Sequence, residues 1–126
     1  MTNLIILDSV SHLTPECKGA IVVCGSHGGA SAARHALAFE PAAIFFSDAG
    51  KGKDNAGIAG LALFDAHNIP AAAIDIWSAR IGDGKDSYEC GSISAVNLAA
   101  QRYGLADGIT VKTAVEILKA LFGLQA

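Results

Sequence analysis

Four short apolar runs, most of them followed by a polar break and a helix-forming stretch, constrain this chain most. Residues 20–24 (Ala-Ile-Val-Val-Cys) form an unbroken run centred on β-branched residues, the pattern of a strand buried on both faces. Residues 3–7, 43–46 and 71–77 read as further strands. Residues 30–39 are strong helix formers with few charges. A second helix is predicted from an Asp54 or Asn55 cap to about His67, stopped by Asn68 and Pro70. A third is predicted from about Tyr88 or Ser92 to Tyr103, closed by Gly104. In the last, Val111, Ala114, Val115, Leu118, Leu121 and Phe122 recur at helical spacing after a Thr110 cap. Ile109 reads as a short strand or a staple residue.

This alternation predicts an α/β fold in a single domain over residues 1–126. The expected form is a small Rossmann-like or flavodoxin-like three-layer sandwich. Its sheet is mostly parallel, with roughly four to five strands, about four helices and right-handed crossovers. The order of the strands is not readable.

Composition narrows the class. Hydrophobic residues make up 52% and charged residues 17%, against about 25% charged in an ordinary domain. That excludes a disordered chain, a coiled coil and a basic nucleic-acid arm. The apolar runs are far shorter than the roughly 20 residues of a spanning helix, and no basic segment precedes the first, so neither a membrane span nor a signal peptide is expected. The net charge of −3 argues against nucleic acid and anionic membrane as partners. The apolar surplus predicts burial between subunits, hence a homo-oligomer. Three cysteines, an odd count, predict reduced thiols and a cytoplasmic protein.

Parallel α/β sheets bind ligands outside the carboxyl ends of their strands. The segments after the second, third and fourth runs, residues 24–29, 47–55 and 78–88, lie at that edge. They hold four of the 9 basic residues (Lys51, Lys53, Arg80, Lys85), four of the 12 acids (Asp48, Asp54, Asp83, Asp86) and seven of the 14 glycines. The opposite connections are short and plain. Loops are polar anyway, but that does not explain why one edge alone is long and charged.

In the first segment, Gly25, Gly28 and Gly29 precede a helix whose free N–H groups suit an anion or a developing oxyanion. Ser26 and Cys24 are the candidate nucleophiles or hydrogen-bond donors, and His27 the candidate proton carrier. A glycine turn and a buried structural thiol are the plain alternatives. Cys24 stands where a nucleophile elbow wants Gly, and G-x-G-x-x-G is not met. The second segment resembles a P-loop but fails it, because Asp54 follows Gly52-Lys53. There, Lys51, Lys53 and Asn55 are candidate anion ligands, and Asp48 a base or, as an alternative to Asp83 of the third segment, an orienting carboxylate for His27. In the third, Ser78, Arg80 and Asp83 are substrate-binding candidates, Arg80 offering a fork for carboxylate or phosphate; Asp83 is alternatively a structural partner of Arg80. The spacing of His12, Cys17, Cys24 and His27 matches no trusted zinc pattern, so no metal and no cofactor is expected.

The expected function is a small-molecule enzyme acting on a small carboxylate- or phosphate-bearing substrate. Cofactor-independent hydrolysis of an amide or ester, or a lyase or isomerase step, suits these groups. The alternatives are a non-catalytic ligand-binding or sensor domain and an accessory subunit of a larger assembly.

Overall fold

The computed structural model describes residues 2–125. Its strands are β1 (Leu4–Leu7), β2 (Ile21–His27), β3 (Ala43–Ser47), β4 (Ala71–Ile74) and β5 (Ile93–Val96). They form one sheet in the order β1-β2-β3-β4-β5, with β1 to β4 parallel and β5 antiparallel to β4. The α-helices are α1 (Ala30–Leu37), α2 (Gly84–Cys90), α3 (Leu98–Arg102) and α4 (Val111–Gln125). Short 3-10 segments lie at Val10–His12, Pro15–Cys17, Lys53–Ile58 and Leu61–His67.

The central strands are apolar up to their carboxyl ends, where β2 finishes in Ser26-His27 and β3 in Ser47, because both sides of the sheet are covered there. Val22, Cys24, Ile44, Phe46 and Ala73 pack with Leu13, Ala33, Ala36, Leu61 and Phe64. The alternate residues Ile21, Val23, Phe45, Ala72 and Ile74 pack with Val111, Ala114, Val115 and Leu118 of α4. The helical spacing read in α4 is therefore its buried stripe, and Thr110 Oγ1 caps it by accepting from Thr113 N–H at 3.1 Å.

Consecutive strands are neighbours, so connections of one hand must all lie on one face. The connections from β1 through β4 do so: residues 8–20, α1 and Leu61–His67 all contribute to the first apolar cluster. The connection after β4 lies outside this rule, because β5 is antiparallel to β4. It crosses to the other face, where α2 packs on β1, β2 and α4. The sequential order differs from both the 3-2-1-4 and the 2-1-3-4 arrangements of the common doubly wound sheets.

Two expected helices are replaced. Between Tyr88 and Tyr103 the chain forms the end of α2, then β5, then α3. A Cβ at Gly91 would lie 2.7 Å from Ile74 Cγ2, so glycine lets α2 end against the sheet. Ile93 and Val96 then pair with β4. The buried Asn97 starts α3: its Oδ1 accepts from Ala71 N–H (3.0 Å) and Ala100 N–H (2.8 Å). Its Nδ2 donates to Leu61 O (3.2 Å) and Ile69 O (3.0 Å). Between Asp54 and His67, two 3-10 segments stand in place of one α-helix, and Asp54 and Asn55 are left-handed (φ 54 and 57) rather than capping. β4 ends at Ile74 instead of Trp77, because Asp75 Oδ1 accepts from Trp77 N–H at 3.0 Å and turns the chain.

Gly60 is where this second connection touches α1. A Cβ there would strike Ala33 and lie 2.6 Å and 2.7 Å from the carbonyl oxygens of Gly29 and Gly28. Backbone atoms cannot swing aside as a flexible side chain can. Gly60→Ala is expected to lower stability by about 2–3 kcal/mol, measured as a lower urea midpoint with an unchanged slope.

Candidate functional site at the carboxyl edge

Because the loop after β3 turns to one face and the loop after β4 to the other, a crevice opens between the carboxyl ends of these two strands. It is a depression of about 280 Å³ lined by Asp48, Gly50, Lys51, Asp75, Trp77 and Ser94. A second depression of about 250 Å³ adjoins it through Ile76 and Trp77 and carries Ser78, Arg80 and Asp86.

Asp48 organises the crevice. It is 3% exposed. Its Oδ1 accepts from Gly50 N–H (2.7 Å) and Ile76 N–H (3.1 Å), and its Oδ2 from the Ser94 hydroxyl (2.7 Å). A buried carboxyl group needs such donors. These three tie the end of β3 to its own loop, to the end of β4 and to β5. The loop is bent to suit: Ala49, Lys51, Asp54 and Asn55 all have positive φ (52, 66, 54 and 57). A non-glycine residue held left-handed costs on the order of 1 kcal/mol, so the surroundings must impose this shape. Lys51 is half-buried, whereas Lys53 and Asn55 are exposed further along the loop and line neither depression.

The first segment follows another logic. From Val23↔Phe45 to His27↔Ser47, β2 advances four residues while β3 advances two. Such an irregularity re-aims the side chains that follow it. Ser26 Oγ accepts from Val10 N–H (3.0 Å) and lies 3.1 Å from Cys24 Sγ. Burial pushes the Cys24 thiol pKa up despite that contact, which disfavours the thiolate a nucleophile requires. His27 Nδ1 accepts from Gly29 N–H at 3.0 Å. A neutral ring so held carries its proton on Nε2 and meets a ligand as a donor. Gly28 N–H bonds to Gly57 O (3.0 Å) and Ser47 O (3.3 Å). The N–H groups of both Gly28 and Gly29 are therefore engaged inside the protein. His27 lines its own depression, of about 410 Å³, with Val10, Ser11, Ser31, Ala32 and His35.

Residues 75–83 run as a strap across the edge from β4 back to β1. Gly82 N–H donates to Gly25 O (2.7 Å) and Gly84 N–H to Asp8 Oδ1 (2.9 Å). The strap fits because residue 25 lacks a side chain: a Cβ there would lie 2.6 Å from Asp83 N. Asp83 Oδ1 caps α2 by accepting from Asp86 N–H at 2.9 Å. Asp86, rather than Asp83, is the acid beside Arg80: its Oδ2 accepts from the Arg80 backbone N–H at 2.8 Å. That bond, with a smaller share from the Arg80 charge, holds the Asp86 carboxyl below its ordinary pKa, and Asp86 in turn pushes the exposed Cys90 thiol up. Ser78 Oγ donates to Asp75 O (2.6 Å) and accepts from Ser92 N–H (3.0 Å), pinning the strap to the start of β5.

The structure thus brings Asp48 and Lys51 into one depression and Ser78 and Arg80 into its neighbour, with Cys24, Ser26 and His27 towards α1. The pairing of His27 with Asp48 or Asp83 expected from sequence is replaced by the bonds described above. Asp75, Ile76, Trp77 and Ser94 line the crevice without having been singled out in the sequence. The strand reading of residues 71–77 and the helix reading around Ser94 hid them. Asp75, a turn-forming residue inside an apolar run, was the available signal. Among the described residues, no group of three His, Cys, Asp or Glu side chains gathers as a metal site, and no helix is long and apolar enough to cross a membrane. Compared with family models, with curated proteins and with solved structures, the chain matches none.

Asp48→Ala should cost about 3 kcal/mol, because two backbone N–H groups and a hydroxyl lose their acceptor. Asp48→Asn, which keeps the Oδ1 acceptor, should recover most of that loss in urea unfolding. Asp86 gives a pH signature. Its folded pKa is depressed, so its stabilisation is fully present above the ordinary carboxyl value of about 4 and is lost as pH falls through the folded value. The Tm gap between wild type and Asp86→Asn should therefore be open at pH 6 (roughly two units above that value) and close on acidification.

Proposed function

We propose that this protein is a small-molecule enzyme whose substrate carries a carboxylate or phosphate and sits at the carboxyl edge. The observation that carries the reading is the crevice between β3 and β4, flanked by the cations Lys51 and Arg80. The three acids beside it each accept hydrogen bonds from the protein: Asp48 from three donors, Asp75 Oδ1 from Trp77 N–H and Asp86 Oδ2 from the Arg80 amide. Neither Lys51 nor Arg80 is held in an ion pair among the described residues, and the ammonium and the guanidinium fork are the groups that would meet an anion. Lys53 adds positive charge and Asn55 a neutral amide on the exposed loop beyond the crevice. His27, in the neighbouring depression, presents its Nε2–H as a hydrogen-bond donor to charge developing on an oxygen or nitrogen of the substrate, which suits cofactor-independent hydrolysis of an amide or ester, or a lyase or isomerase step. Ser26 belongs with His27 as a hydroxyl donor, and Cys24 supports Ser26 rather than attacking substrate.

A non-catalytic ligand-binding domain is the second reading. It is favoured by one observation: Asp48 and Asp83 hydrogen-bond backbone groups in place of His27. The two apolar clusters on opposite sides of the sheet support a three-layer sandwich, whose sequential strand order sets it apart from the Rossmann-like and flavodoxin-like arrangements expected from sequence. Leu98, 56% exposed beside an apolar depression with Ile58, Leu61 and Val96, supports a homo-oligomer. Three free cysteines support a cytoplasmic setting, and the net acidic charge a partner that is neither nucleic acid nor membrane.

The test is incubation of the protein with pooled small carboxylates and phosphate esters, followed by mass spectrometry. Turnover is expected, with kcat/KM lowered about tenfold or more by Lys51→Met and by Arg80→Met, the scale of a lost charged hydrogen bond. Stoichiometric retention of an unchanged molecule supports the binding reading instead. A wild type whose Tm responds to these anions no differently from the Lys51→Met/Arg80→Met double variant overturns both.

A further inference from the structure

The crevice holds a feature that charge alone does not explain. Trp77, the single tryptophan of the chain, is 92% exposed and lines both adjoining depressions. A large apolar ring left in water gains nothing from the hydrophobic effect, yet its backbone is held rigidly. Trp77 N–H donates to Asp75 Oδ1 (3.0 Å) and Ile76 N–H to Asp48 Oδ1 (3.1 Å). Ser78 N–H and Ser78 Oγ both donate to Asp75 O (2.9 and 2.6 Å). The indole therefore projects from a fixed turn, with Lys51 in the depression on one side and Arg80 in that on the other. An aromatic side chain on a fixed backbone, between depressions that each hold a cation, offers a π-face and counter-charge to the same ligand.

We infer that the ligand of this site has a planar ring stacked on Trp77 and an anionic group held by Lys51 or Arg80. This rests on the anion reading of the crevice and adds the ring to it. Depressions of about 280 and 250 Å³ match a one- or two-ring molecule better than a long chain. The anion is a phosphate, as on a nucleotide, or a carboxylate, as on an aromatic acid, and the probes below separate these sources.

The experiment is a titration of the full chain followed by tryptophan emission, which reports on Trp77 alone, with calorimetry as the second readout. The probes are two pairs, AMP with ribose 5-phosphate and nicotinate with acetate, each at millimolar concentration. In at least one pair the ring-bearing member should quench emission and bind about tenfold more tightly, the scale of one base–aromatic stack. Trp77→Leu should abolish that difference and Trp77→Phe should keep most of it, while Lys51→Met or Arg80→Met weakens both members. Equal affinity of ring-bearing and ringless probes, unchanged by Trp77→Leu, overturns the ring inference and leaves the anion reading standing. Ring binding that depends on Trp77 but is indifferent to Lys51→Met and Arg80→Met overturns the anion reading instead. Emission unmoved by all four probes, or shifted only by diluting the protein, overturns the inference, the latter because a second copy then covers the indole.

Discussion

The carboxyl group of Asp48 is the point on which the edge of this sheet depends. Strands β3 and β4 send their loops to opposite faces, and the ladder between them ends with Asp48 N–H donating to Ile74 O at 2.8 Å, so the loops beyond need another tie. Asp48 does so by accepting from Gly50 and Ile76 N–H at once, while Ser94 brings β5 to the same carboxyl. The left-handed backbone at Ala49 and Lys51 persists because the loop is clamped at that acceptor. A crevice held this way is shaped before any ligand arrives, and preorganisation lowers the ordering cost of binding.

The strap of residues 75–83 depends on a second constraint, the bare backbone of Gly25. Its missing Cβ allows Gly82 and Asp83 to lie directly over the end of β2. The glycines of residues 24–29 thus serve close approach between protein segments as much as approach to a ligand. They also separate the edge into two parts, with His27 towards α1 and the Lys51–Trp77–Arg80 surface beyond β3.

Much of the fold was legible because burial on both faces leaves a strong mark. A continuous β-branched run such as residues 20–24 suits a strand covered on both sides and little else, and the stripe of α4 repeats at helical spacing. The misread stretches are those where local propensity and tertiary contact disagree. Residues 92–97 read as part of a helix because the Leu98-Ala99-Ala100 stretch that follows is helix-forming, yet Ile93 and Val96 complete the sheet beside β4 and Asn97 satisfies four backbone groups, at Leu61, Ile69, Ala71 and Ala100. Residues 54–67 look helical in composition. Gly57 and Gly60, however, sit where backbone from the loop after β3 and from the start of α1 comes too close for a Cβ.

The sequence by itself determined the α/β class, the parallel strands and the concentration of glycine and charge after them, since these follow from periodicity and composition. It also placed Lys51, Arg80 and Asp48 at one edge. Tertiary structure alone decided which partner each polar group takes. Asp48 joined the ends of β3 and β4 instead of His27, Asp83 became a helix cap, Asp86 replaced it beside Arg80, and Trp77 was left in the open. Hydrogen bonds are satisfied by whatever donor or acceptor the folded chain brings within about 3 Å, and sequence spacing says little about neighbours tens of residues apart.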